Sequence, residues 1–101
     1  MKVDIKSTQS IISTILLKSW EKIVIENENI YIRDNSMTLK LFKSNNTIDV
    51  SLIEYGRGYL SMIPKNVETY TYDIKNKDGR ELEKIINLIT YTFTTTKSTK
   101  E

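Results

Sequence analysis

The chain has 101 residues, with 15 basic and 13 acidic side chains, a formal net charge of +2, and neither histidine nor cysteine. This length allows one domain, and the missing imidazole and thiol groups exclude Ser–His and Cys–His nucleophiles, thiolate zinc sites and thiol redox chemistry. The chain contains 15 isoleucines, 4 valines and 12 threonines, and because β-branched side chains favour pleated backbone, this composition predicts a domain rich in sheet.

The first predicted elements are a short strand and a helix. Residues 2–6 alternate polar and apolar side chains, which is typical of a half-buried strand. Ser7 or Thr8 can cap the helix that follows, because a hydroxyl accepts from the unpaired N–H groups of the first turn. The stripe that predicts this helix recurs every four residues, at Ile12, Leu16 and Trp20, with Ile11 and Ile15 beside it, and we expect that stripe to face the core.

Short β-branched runs separated by polar or glycine-containing turns predict the strands, which are 22–26, 30–33, 37–43, 47–55, 59–63 and 67–74. Residues 27–29 are interpreted as a three-residue hairpin connection, and Gly56 and Gly58 enclose a tight turn. Pro64 is expected to end the strand before it or to mark that strand as an edge, since proline cannot donate to a ladder. Short connections favour antiparallel neighbours.

The last predicted element is a helix that starts at Asp78, with Glu81 forming a capping-box-like pair. Leu82, Ile86 and Phe93 lie on its apolar stripe. Residues 94–101 lack apolar side chains and are predicted to form a flexible polar tail. The expected fold of residues 1–93 is a single α+β domain, in which a curled, mainly antiparallel sheet of five or six strands carries an N-terminal and a C-terminal helix on one face.

One hairpin suggests a nucleic-acid site. If the turn is centred on Arg57, Tyr55 and Tyr59 face each other, and two aromatic planes beside a guanidinium can stack unpaired bases and hold a phosphate. Nearby basic side chains that could contribute are Lys40, Lys43 and Lys65. The alternative is that the tyrosines only stabilise the hairpin as a cross-strand pair.

A second set of residues suggests a protein interface. Tyr70 and Tyr72 share one face of the last strand, and Leu88 and Tyr91 widen the apolar stripe of the C-terminal helix. Tyrosine is enriched in interfaces, although it also commonly lies at the rim of a core. These residues favour a non-catalytic binding or regulatory protein that acts through protein–protein contacts, with itself as a homodimer or with another protein.

Catalysis has little support in the sequence. Glu26 and Glu28 could bind a divalent cation in a metal-dependent hydrolase, but exposed acids beside a turn are usually only solvated. We therefore expect no enzyme and no cofactor. Each half of the chain carries a net charge of +1, which argues against a duplex-DNA binder, since such proteins usually cluster their basic residues.

The expected location is the cytoplasm. The apolar run 11–17 is shorter than the ~20 residues that a membrane span needs, and Asp4 stands where a signal peptide would carry basic residues. We therefore expect no membrane partner. Frequent isoleucine, lysine, asparagine and tyrosine are typical of a low-GC genome and suggest a microbial, viral or plasmid accessory protein, which would act in the host cytoplasm if viral.

Overall fold

A computed structural model of the chain describes residues 3–17, 22–27, 29–34, 36–56 and 63–100, with side chains up to Thr92. The described residues form one open antiparallel sheet whose strands lie side by side in chain order. The strands are β1 (Lys22–Glu26), β2 (Asn29–Arg33), β3 (Met37–Lys43), β4 (Thr47–Tyr55) and β5 (Pro64–Asp73). Helices α1 (Thr8–Leu17) and α2 (Lys77–Lys100) pack against one face of the sheet. The predicted α+β fold is confirmed.

The β1–β2 connection is shorter than predicted. Glu26 pairs with Asn29, so two residues form the turn and Asn29 belongs to the strand. Asn27 has a φ of 59°, a left-handed conformation that asparagine tolerates and that two-residue hairpins require. The Asn29 side chain accepts a hydrogen bond from the Lys43 N–H at 2.9 Å, which joins the start of β2 to the end of β3.

Side chains that bond to nearby backbone close the next two hairpins. The Asp34 carboxylate accepts from the N–H groups of Ser36 at 2.8 Å and Met37 at 3.0 Å, which is the Asx turn expected of aspartate at this position. The Ser44 N–H donates to the Thr47 carbonyl at 2.9 Å, and the two hydroxyls lie 2.7 Å apart. Each turn therefore sets the register of the strands that it connects.

The core lies between the sheet and the helices. Every second strand residue points towards the helices, as the pleat requires. The buried apolar residues of the sheet are Ile30, Ile32, Met37, Leu39, Leu41, Ile48, Val50, Leu52 and Tyr72. They meet Ile11 of α1 and Leu82 and Ile86 of α2 in a single cluster. Buried residues therefore alternate with more exposed ones along β2 and β4.

The face that α1 buries agrees with the predicted one at Ile11, Ile12 and Ile15, which are buried or pack against the core, but not at Leu16. Ile11 is fully buried, with Thr8 and Thr14 beside it, whereas Leu16 and Leu17 are exposed, so the expected stripe is wrong at Leu16. Thr14 can be buried because its hydroxyl donates to the Ser10 carbonyl at 2.7 Å, which leaves no unpaired polar atom on that side chain. Trp20 lies outside the described residues.

The predicted N-terminal strand is absent from the described residues, and a turn stands in its place. The Asp4 carbonyl accepts from the Ser7 N–H at 3.2 Å, and the Asp4 carboxylate accepts from the Lys6 N–H at 3.0 Å. Ile5 is nevertheless buried. Its carbonyl accepts the hydroxyl of Tyr72 at 2.6 Å, so a side chain of β5 satisfies the backbone group that a neighbouring strand would otherwise have paired.

Pro64 begins a strand instead of ending one. It pairs with Tyr55, next to a register shift, and the Gly56 N–H donates to the Ile63 carbonyl at 3.2 Å. The first residue of an edge strand accommodates proline, since its missing N–H is not needed there. Ile63, the last residue of the predicted strand 59–63, is not in a strand, and residues 57–62 lie outside the described residues.

Helix α2 begins one residue earlier than predicted and ends later. The Arg80 N–H donates to the Asn76 carbonyl at 3.0 Å, so the first turn forms ahead of the proposed Asp78 start. The helix continues to Lys100, past the predicted boundary at 93, and neither glycine nor proline follows Gly79 to interrupt it. The Phe93 side chain lies outside the description.

Within the described residues neither helix has the length and apolarity needed to cross a bilayer.

Gly79 provides a test of how α2 joins the sheet. A Cβ at this position would overlap the Asp73 carbonyl oxygen and lie 2.9 Å from the Ile74 Cα. We expect Gly79→Ala to lower the free energy of unfolding by about 1–3 kcal/mol, because backbone must move to admit the methyl group. The matched control is Asn87→Ala on the exposed side of α2, where alanine improves helix propensity. Urea unfolding measures both, and a Gly79→Ala protein as stable as wild type would contradict the packing.

Tyr72 provides a test of the link to the N-terminal segment. Burial raises the pKa of the Tyr72 phenol, so its stabilising effect is complete below the ordinary tyrosine pKa of about 10 and is lost as pH rises through the higher folded-state pKa. We expect Tyr72→Phe to cost about 1–3 kcal/mol at neutral pH, since the Ile5 carbonyl loses its donor. Urea unfolding of both proteins from neutral to strongly alkaline pH should show the difference shrinking at the alkaline end. A constant difference would argue against this coupling.

Candidate binding surfaces

The face of the sheet opposite the helices is not covered by any element that the structure describes. We call it the open face. Its residues alternate along each strand with those of the core, and the strand registers place them in rows across the sheet. It comprises Lys22, Val24, Glu26, Tyr31, Arg33, Thr38, Lys40, Phe42, Asp49, Ser51, Ile53, Tyr55, Val67, Thr69 and Thr71.

An aromatic cluster occupies the middle of the open face. The rings of Tyr31 and Phe42 meet edge to face, with centroids 5.4 Å apart and planes at 81°. The Lys40 ammonium lies 5.9 Å from the centroid of each ring. All three side chains are half-buried. We call Tyr31, Lys40 and Phe42 the aromatic cluster, since a cation near two ring faces is a favourable arrangement that leaves the ammonium accessible.

A second ring and cation pair lies farther along the same face. The Tyr55 hydroxyl lies 3.0 Å from the hydroxyl of Thr38, and the Arg33 guanidinium lies 5.9 Å from the Tyr55 ring centroid. This contact places Tyr55 across the neighbouring strand β3 and explains why Thr38 is buried on an otherwise open surface. The phenol ring is thereby held in a defined position beside a guanidinium.

Charge is unevenly distributed over the open face. The strands β1 to β3 contribute Lys22, Arg33 and Lys40 against a single acid, Glu26. Neither Arg33 nor Lys40 forms an ion pair with any carboxylate in the described part of the chain. The β4 and β5 side is hydroxylated and acidic. There the Asp49 carboxylate accepts from Thr71 at 2.7 Å, and the hydroxyls of Ser51 and Thr69 lie 3.1 Å apart.

The structure separates the members of the predicted hairpin site. Tyr55 and Lys40 share the open face. Lys43 points to the helix side, where its ammonium lies 3.0 Å from the Glu83 carboxylate, because three residues along a strand reverse the side. Lys65 is exposed at the register shift between β4 and β5. Arg57 and Tyr59 lie outside the described residues, so their pairing with Tyr55 stays a prediction.

The residues predicted to form an interface also divide. Tyr72 is only 6% exposed and lies in the core, with its ring 4.9 Å from that of Tyr70, so it has no surface to offer a partner. Tyr70 is partly exposed at the sheet edge. Leu88 and Tyr91 are exposed on α2, at 57% and 71%.

Helix α1 also carries exposed apolar side chains, namely Leu16 and Leu17, at 61% and 82% exposed. The two helices pack against each other. We call Leu16, Leu17, Leu88 and Tyr91 the helical apolar set. The apolar stripe in the sequence predicts that Leu16 lies in the core, but its side chain is exposed. The surface therefore carries apolar area that the sequence predicts to be buried.

The carboxylate pair gains no further support. Glu26 lies exposed at the end of β1, and Glu28 lies outside the described residues. In the described part of the chain, no group of three or more acidic side chains is placed to hold a metal ion.

Sequence reasoning missed Tyr31, Phe42 and Arg33, although a signal for them exists. Tyr31 and Phe42 directly follow the core residues Ile30 and Leu41. Because successive side chains of a strand point to opposite faces, both belong on the other side of the sheet. Their adjacency, however, depends on the β2–β3 register, which follows from the Asp34 turn.

Comparison of the chain with protein-family models, with curated proteins and with solved structures finds no match.

Proposed function

We propose that this protein is a small non-catalytic binding or regulatory protein that acts through protein–protein contacts, with a second copy of itself as the first partner. The observation that carries the proposal is the helical apolar set. Leu17 and Tyr91 are more than two-thirds exposed, and large apolar side chains gathered on one layer of a small protein mark interaction surfaces.

The size of the domain supports association. A chain of about 100 residues buries only about two-thirds of its unfolded surface, and a homodimer adds apolar burial that stabilises the folded state by mass action. Leucine and tyrosine on paired helices can pack across a two-fold axis, where each patch meets its own copy. Tyrosine also brings a hydroxyl that can stay hydrated at the interface rim.

The sheet edges are less suited to joining two copies. Strand β1 has five residues, and β5 begins with Pro64 and Lys65. Short edges, proline and lysine are devices that oppose strand addition. The helical layer is therefore the surface that we assign to the partner. The cytoplasm is the compartment that we propose, since small secreted domains usually depend on disulfides and this chain has no cysteine.

Leu88 and Val67 form a matched pair for testing this proposal, because both are 57% exposed, one on α2 and the other on the open face. We expect wild-type protein to sediment at about twice the chain mass of 11.8 kDa. Leu88→Ser should weaken dimerisation about 5- to 30-fold, as expected for an interface residue worth 1–2 kcal/mol, whereas Val67→Ser should not.

Sedimentation equilibrium over a wide concentration range measures both dissociation constants. A protein that remains a strict monomer at its highest soluble concentration would refute the homodimer. Equal weakening by Leu88→Ser and Val67→Ser would place the interface elsewhere than on the helical layer.

A further inference from the structure

We propose that the open face binds single-stranded nucleic acid, with bases stacking on the aromatic cluster and on Tyr55 while phosphates lie along Lys22, Arg33 and Lys40. This site is separate from the helical apolar set, and it differs from the hairpin site suggested by the sequence in that it needs neither Arg57 nor Tyr59.

The first argument is the placement of the rings. Tyr31, Phe42 and Tyr55 lie on adjacent strands of one uncovered sheet face, and none of them is fully buried. Flat aromatic surfaces held on a rigid sheet stack unpaired bases whatever the sequence, because every base has a π face. A ring that served only to pack in the core would lie on the side of the sheet that faces the helices, as the ring of Tyr72 does.

The second argument is the position of the cations. Lys40 lies beside both rings of the cluster, and Arg33 lies beside Tyr55. A nucleotide stacked on either group would bring its phosphate close to a cation that no described carboxylate neutralises. The acids border this path. Glu26 lies at the end of β1, and Asp49 pairs with Phe42 from the β4 side, so the strand should run over β1 to β3.

The third argument concerns size and shape. Phe42 and Thr38, the residue that Tyr55 contacts, lie four positions apart on β3, about 13 Å of extended strand. That length accommodates two or three bases, as in other sheets that stack RNA. A duplex hides its base faces within its own stack, so the rings could not reach them, and the sheet offers no helix to enter a groove.

The same charges disfavour a second copy of the chain on this face. In a two-fold dimer whose axis passes through β1 to β3, this patch meets its own copy, which would bring the basic patch of Lys22, Arg33 and Lys40 in one chain against the same patch in the other. Like charges in contact are unfavourable. Phosphates complement this part of the face, whereas a second copy does not.

The experiment is fluorescence anisotropy of labelled oligothymidylate and oligouridylate of about a dozen nucleotides, titrated with wild-type protein at about 50 and 200 mM salt. We expect salt-dependent binding to one or both oligonucleotides and weaker binding to a duplex of equal length. Phe42→Leu keeps an apolar side chain but removes the stacking plane, and it should weaken binding about 5- to 150-fold. Phe42→Trp should retain binding.

Charge variants test the path of the phosphates. Lys40→Gln should weaken binding and lower the slope of log affinity against log salt by about one. Lys43→Gln, on the same strand but on the helix side, should leave affinity unchanged. Asp49→Asn keeps the oxygen that accepts from Thr71 and removes a negative charge, so it should strengthen binding, a gain that misfolding could not produce.

Several outcomes would overturn the proposal. These are no binding to either oligonucleotide at low salt, equal affinity of Phe42→Leu and wild type, tighter binding to duplex, or a change of oligomeric state in Phe42→Leu without a change in oligonucleotide affinity. Circular dichroism and thermal unfolding establish that each variant is folded. Leu88→Ser should still bind a single oligonucleotide. The Phe42 variants therefore test this proposal, and Leu88→Ser tests the homodimer, so the two can fail independently.

Discussion

The registers of the four hairpins are the constraint on which the core and the open face depend. In β3, Leu39 and Leu41 face the helices while Lys40 and Phe42 face outward. A slip of one residue would exchange these pairs, burying an ammonium group and exposing two leucines. The local bonds of the Asp34 turn hold this strand in register. The open face thus has its composition because the core needs the opposite side chains.

A single long-range hydrogen bond performs the comparable task for the helical layer. The hydroxyl of Tyr72 reaches the carbonyl of Ile5, far away in sequence, inside the core. The bond ties the segment before α1 to β5, and Ile11 then determines which side of α1 is buried. Leu16 and Leu17 follow on the outer side at the end of the helix. The exposure of Leu16 and Leu17 therefore follows from how the chain enters α1.

Local signals in the sequence predict most of the fold and only part of the sites. The strands β1 to β4 follow from alternation, and their turns follow from asparagine, aspartate and serine, because each depends on neighbouring residues alone. The rotation of α1 and the role of Gly79 depend on contacts between distant segments. The pairing of Tyr55 with Arg33 likewise needs the sheet to be assembled. Spacing within the helix favours Leu16 as a core residue, but the tertiary packing of α1 buries Ile11 and leaves Leu16 exposed.

Charge shows why the linear sequence concealed the basic side of the open face. Along the chain, cations and anions are evenly divided, which argues against a dedicated duplex-DNA binder. The pleat of each strand divides these charges between the two faces of the sheet. Lys40 and Lys43, for example, are three residues apart and so point to opposite sides. Lys43 meets Glu83 of α2, while Lys40 meets two aromatic rings. An even linear distribution is therefore compatible with a local excess of cations on one half of one face.

The two surfaces lie on opposite sides of one core, which makes them physically separable. The helical apolar set is exposed on the helices, and the aromatic cluster lies on the face of the sheet opposite the helices, with the buried residues of β2 to β4 in the core between the two layers. Substitutions that share no contacts have additive effects, so the effects of changes at Leu88 and Phe42 on the free energy of unfolding should add. A dimer joined through its helices would leave both open faces outward, and linking two weak stacking sites in this way raises avidity for a strand long enough to reach both. Association through the helices would therefore strengthen the nucleic-acid site without adding any contact to it.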